Sequence, residues 1–76
     1  MPKITPIDSK TLGKIFLKSG FILSRIEGDH FVYTKPDCPR PVIIPKRKDV
    51  PVFIIKNNLR TAGISREEYF ELLKEV

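Results

Sequence analysis

Apolar and polar positions alternate along this chain with two different periods. Leu12, Ile15, Phe16 and Ser19 recur at the 3.6-residue spacing of a helix with one buried stripe. Asp8 or Ser9 is placed to cap its start, and Gly20 to supply the left-handed residue after its end. Before it runs a short extended arm with Pro2 and Pro6. Lys10, Lys14 and Lys18, four apart, fall together on another helix face, which reads either as a solvated surface or as a phosphate-contacting ridge. From Phe21 to Ile26 and again from His30 to Lys35 the residues are strand formers, and Glu27-Gly28-Asp29 between them reads as a hairpin turn.

Three prolines in Pro36-Asp37-Cys38-Pro39-Arg40-Pro41 remove three ladder donors, so this segment is expected to be a loop leading to a short third strand, Val42-Ile43-Ile44. Pro45-Lys46-Arg47-Lys48-Asp49 follows as a basic connector. Asp49 is a possible cap and Pro51 suits the first turn of the next helix. There Val52, Ile55, Leu59 and Ala62 form the expected buried stripe, with Lys56, Asn57, Arg60 and Thr61 facing away. Phe53 lies nearer the polar group, either half-buried or an anchor for a partner protein or a base. Gly63 ends this helix, and Ser65 with Glu68 and an Ile64 to Tyr69 staple starts a last one, whose buried face is Tyr69, Phe70, Leu72, Leu73 and Val76. The order α-β-β-β-α-α predicts an α+β domain: a three-stranded antiparallel sheet with helices packed on one face.

Length and composition narrow the possibilities. Seventy-six residues, 41% hydrophobic and 30% charged, fit one folded domain over residues 1–76 with little room for a deep substrate cavity. No apolar run approaches a membrane span and the N-terminus lacks a signal-peptide core, so a cytoplasmic protein with no membrane partner is expected. A single cysteine, Cys38, and a single histidine leave no recognisable zinc cluster, and neither a metal nor a cofactor is expected. The net charge of +5 favours a polyanionic partner. Residues 66–76 carry −2, so the remaining +7 lies on residues 1–65.

Phosphate-cradling glycine motifs, nucleophile elbows and paired metal-ligand histidines are all missing. His30 is the one side chain whose ordinary titration range suits proton transfer near neutral pH, and it follows a Gly28-Asp29 turn that would hold it in place yet reachable. A plain surface histidine is the competing reading of that position alone.

Several segments, taken in order, carry a resemblance. The helix ends in Lys18-Ser19-Gly20-Phe21; Arg25 follows, then Gly28-Asp29-His30 opens a strand, and a proline-bounded strand Val42-Ile43-Ile44-Pro45 comes next. The closing stretch from Leu59 to Tyr69 belongs to the same pattern. Together they resemble the HicA (YcfA-like) mRNA interferase toxins. The resemblance implies a fold like a double-stranded-RNA-binding domain, an endoribonuclease activity on mRNA with His30 as catalytic residue, and a HicB-like antitoxin partner. Asp29 stands where the family usually has Ser.

Metal-free RNA cleavage needs a base for the 2′-hydroxyl proton, charge stabilisation at phosphate, and an acid for the leaving oxygen. His30 fits the first role. A lysine, Tyr33, water or the substrate would complete the set, with Gly28, Asp29 and Tyr33 shaping the site. Asp29 would either form the turn or, with its carboxylate close, favour the imidazolium. Lys46, Arg47 and Lys48 are the leading phosphate contacts, followed by Arg25 and by Lys10, Lys14 and Lys18. Two other readings stay open: a non-catalytic RNA-binding domain of the same fold, and a protein-binding domain with incidental charge.

Overall fold

The computed structural model describes residues 3–76, so Pro2 of the N-terminal arm lies outside the described residues. The elements are α1 (Ser9–Lys18), β1 (Ile22–Glu27), β2 (His30–Lys35), β3 (Cys38–Pro45), α2 (Val52–Ala62) and α3 (Arg66–Glu75), the α-β-β-β-α-α order expected from the sequence. The sheet is antiparallel with spatial order β1-β2-β3. No helix among the described residues is long and apolar enough to cross a membrane.

Helix ends follow local chemistry closely. Asp8 caps α1, accepting from the Thr11 backbone N–H (3.1 Å) and the Thr11 hydroxyl (2.6 Å). At the other end Phe21 N–H donates to the Phe16 carbonyl and Gly20 N–H to the Leu17 carbonyl, a Schellman arrangement in which Gly20 takes φ +100°. Its hydrophobic contact is the edge-to-face pair of Phe16 and Phe21, with ring centroids 5.7 Å apart. Helix α2 ends by the same device: Ile64 N–H donates to the Leu59 carbonyl and Gly63 N–H to that of Arg60. Ser65 and Glu68 then form the expected reciprocal capping box of α3.

Pairing register assigns the two sheet faces. Phe31 and Tyr33 of β2 stand beside Ile44 and Val42 of β3, and all four join the core with Leu12, Ile15 and Phe16 of α1, Ile55 and Leu59 of α2, and Tyr69 of α3. The opposite face carries His30, Val32 and Thr34, flanked by Glu27, Arg25 and Ile22 on β1 and by Pro45 and Ile43 on β3. Val32 is nearly covered by these flanking side chains without joining the main core. A register shift at Ser24 puts Leu23 and Ile26 on the helix side, yet β1 contributes no residue to the core and all six of its positions are exposed.

Four details differ from the sequence reading. Residues 38–41 are strand, not loop, because β3 is an edge: Lys46 N–H points inward to the Asp29 carbonyl, so the alternating Pro41 and Pro45 lack only donors that would have pointed away from β2. Asp49 does not cap α2; Pro51 occupies the N-cap with no side-chain bond. The buried side of α2 is Ile55, Asn58 and Leu59, with Val52 and Ala62 only half-buried, and the amide Nδ2 of Asn58 finds no protein partner. In α3 only Tyr69 is fully buried; Phe70, Leu72 and Leu73 pack at the core margin, and Val76 is exposed.

Candidate nucleic-acid interface

The hairpin between β1 and β2 turns on Gly28 and Asp29. Gly28 adopts φ +55°, open to glycine at little cost, and Asp29 keeps negative φ, the pattern of a type II′ hairpin turn. Glu27 and His30 close the turn as cross-strand partners, so His30 is the first residue of β2, exposed, on the sheet face away from the helices. The Asp29 carboxylate engages no hydrogen-bond partner among the described residues; its backbone carbonyl accepts from Lys46 N–H at 2.6 Å.

That one backbone bond brings the basic connector to the histidine. Lys46, Arg47 and Lys48 leave the end of β3 beside the turn and are all exposed. The connector is fastened on its other side as well: Ser9 N–H donates to the Arg47 carbonyl (2.9 Å) and Val50 N–H to the Ile7 carbonyl (2.7 Å). Asp8, Ser9 and Lys10 at the start of α1 therefore line a cavity of about 420 Å³ together with Lys46, Arg47 and Lys48. Four cations against the one carboxylate of Asp8, which already caps the helix N-terminus, leave the cavity net positive and a suitable seat for phosphate oxygens. Inside it, Asp8 is held below the usual carboxylate range by the hydroxyl and then the backbone N–H of Thr11.

The lysines of α1 differ in their surroundings. Lys10 belongs to the cluster just described, whereas Lys18, at the far end of the helix, lies 3.8 Å from Glu75 of α3 and lines a different cavity with Glu67, Glu68 and Glu71. Lys14 lines a groove with Leu17, Lys18, Glu75 and Val76. Helical geometry separates the two ends of α1 by about 15 Å. Arg25 is on the same sheet face as His30 and pairs with Glu27 at 2.7 Å, both side chains largely in water.

Tyr33 is the one candidate that the fold removes. Three residues beyond His30 in the same strand, it points to the opposite face, where it is 6% exposed and packs beside Phe16 and over Gly13. Burial pushes its hydroxyl above the ordinary tyrosine range. It cannot serve as the acid beside His30. The period of two along β2 carries that information in the sequence itself.

Two features of this region are not visible in the linear pattern. The joining of Ile7 and Ser9 to the connector rests on backbone bonds between segments about forty residues apart. Phe53, which the sequence leaves between half-burial and an anchor for a partner protein or a base, is 66% exposed on the first turn of α2.

A family model described as the HicA toxin of bacterial toxin-antitoxin matches residues 9–64. The matched span runs from the first residue of α1 to the residue after the Gly63 turn, taking in the whole sheet, His30 and the basic connector but not α3. No curated protein matches the chain.

Proposed function

Because this chain belongs to the HicA toxin family of bacterial toxin-antitoxin systems, we propose that it is an endoribonuclease acting on mRNA, with His30 as its general acid/base and a HicB-like antitoxin as its silencing partner. The observation that supports this most directly is the backbone juxtaposition of exposed His30 and the Lys46-Arg47-Lys48 connector across the Asp29 to Lys46 hydrogen bond. RNA cleavage without a metal asks for that pairing: a group that exchanges protons near neutral pH, next to cations that stabilise charge on the phosphate.

In this reading the neutral imidazole takes the 2′-hydroxyl proton as the 2′-oxygen attacks the adjacent phosphorus. The bond to the 5′-oxygen of the next nucleotide breaks, leaving a cyclic phosphate and a 5′-hydroxyl. The leaving oxygen takes its proton from a lysine of the connector or from water, since Tyr33 is on the wrong face. Lys46, Arg47, Lys48 and Lys10 contact phosphate and read no sequence. Arg25 and Lys14 are secondary contacts, and Lys18, drawn to Glu75, contributes least.

Asp29, in place of the family's usual Ser, favours one competing reading, an RNA-binding domain that has lost cleavage. Purified protein and its His30→Ala variant, incubated with RNA in chelator, separate the two. Cutting by the first and binding without cutting by the second is the expected result. Equal cleavage by both would remove His30 from the chemistry, and cleavage by neither would leave only the binding domain.

A further inference from the structure

Among the described residues, Phe53 leaves a larger fraction of its surface in water than any other large apolar side chain. Nothing in the fold requires it there: α2 is anchored by Ile55, Asn58 and Leu59 on its other side. Exposed apolar area is unfavourable by roughly 25 cal/mol per Å². The neighbours of Phe53 on that side of the helix are exposed too. Lys56, Asn57 and Arg60 follow it at i+3, i+4 and i+7, so an aromatic ring, two cations and an amide share one outward face.

The charge along this stretch of the chain is one-sided. Between Val50 and Ser65 there is no acidic residue, and residues 38–65 hold six Lys and Arg against Asp49 alone, a net +5 that equals the charge of the whole chain. An occupant of the face must therefore offer both an apolar plate and negative charge. A nucleotide offers both. Because bases inside a duplex hide their faces in the stack, a free aromatic ring selects unpaired nucleotides.

The face is also linked to the histidine along the chain. The chain runs from the turn at Asp29, through Lys46, Arg47 and Lys48, into the first turn of α2. From Lys46 to Phe53 is seven residues, at most about 25 Å even if fully extended. That span is a few nucleotides, so a strand held by Lys46, Arg47 and Lys48 would come within reach of Phe53.

We propose that the outer face of α2 is a stacking platform for an unpaired segment of the bound RNA, with a base lying on Phe53 and its flanking phosphates held by Lys56 and Arg60. This rests on the reading of the chain as an RNA-binding protein and adds to it a preference: substrates are single-stranded beside the cut.

The test uses a short single-stranded RNA with 2′-O-methyl sugars, which block cleavage, carrying 2-aminopurine as a stacking reporter, and a blunt duplex of equal length. With the wild-type chain, 2-aminopurine fluorescence is quenched on binding. Phe53→Ala and Phe53→Leu lose the quenching and weaken single-strand affinity about tenfold while leaving duplex affinity unchanged. Unaltered affinity in Phe53→Ala overturns the platform, as does full affinity in Phe53→Leu, which would signal apolar burial without stacking. A Phe53→Ala variant that keeps RNA but loses an acidic protein partner assigns the face to that protein and likewise overturns the platform. A wild-type chain that binds neither RNA removes the RNA reading and the platform together, whereas wild-type binding indifferent to Phe53 removes the platform alone.

Discussion

The hydroxyl of Tyr33 rests where a β-carbon on Gly13 would stand. The side chain of Tyr33 thus reaches from β2 to the backbone of α1, and the glycine in the helix is a packing requirement, not a conformational one. Gly13→Ala gains roughly 1 kcal/mol of helix propensity but forces the ring to move within a filled core, a disturbance of about 1–3 kcal/mol. The expected outcome in thermal or denaturant unfolding is a net loss of stability, partly restored in Gly13→Ala/Tyr33→Phe. A Gly13→Ala variant more stable than the parent would contradict this close packing.

Tyr33 and Tyr69 both have hydroxyls raised by burial. A folded-state value above the unfolded one means that the neutral phenol is the form the core accepts. This contribution is complete below the ordinary tyrosine value, near pH 10, and is lost as pH rises toward the folded value. Stability followed by circular dichroism is expected to decline above about pH 10, with a shallower decline in Tyr33→Phe.

Asp8 works in the opposite sense. Its carboxylate is lowered by bonds from Thr11, so its contribution is present above the unfolded aspartate value and lost as pH falls through the folded one. Asp8→Ala is expected to cost about 1 kcal/mol at neutral pH by removing the N-cap of α1. The gap between variant and parent should narrow as pH falls below the ordinary aspartate value, and a gap that stays constant would argue that the cap bonds do not depend on the charge.

The basic cluster has its own signature. Neutralising Lys46, Arg47 and Lys48 together is expected to reduce the slope of log affinity against log salt by roughly 0.7 for each phosphate of single-stranded RNA that the variant no longer neutralises. Lys18→Ala, at the end of α1 that faces Glu75, should leave the slope unchanged. Equal effects from both would mean that binding follows net charge and ignores position.

Most of the architecture is legible in the sequence because its determinants are local. Asp8, Gly20, Gly63 and the Ser65/Glu68 box each act within a few residues of themselves, and their signals survive in a linear reading. What fails to show depends on position in the sheet. Pro39 and Pro41 argue against a strand only if the strand has two neighbours, and the edge location of β3 is a property of the fold. The extent of Phe53's exposure likewise depends on how α2 rolls against β3, a rotation that turns Asn58 inward and leaves Val52 and Ala62 half-buried. Of the candidate site, His30 and the connector are visible as separate motifs, and the hydrogen bonds that bring them and Asp8 together are not. Tyr33 as a companion of His30 conflicts with the strand's period of two, a conflict already present in the sequence.

The fastening of the connector to the start of α1, with the glutamates of α3 gathered around that helix's other end, gives the molecule a lasting electrical axis. A polyanion approaching from any direction exerts a torque on it, repelled from the carboxylates and pulled toward the lysines. Rotation is faster than docking, so the protein would meet a phosphate chain with the Asp29 turn leading before any atom touches.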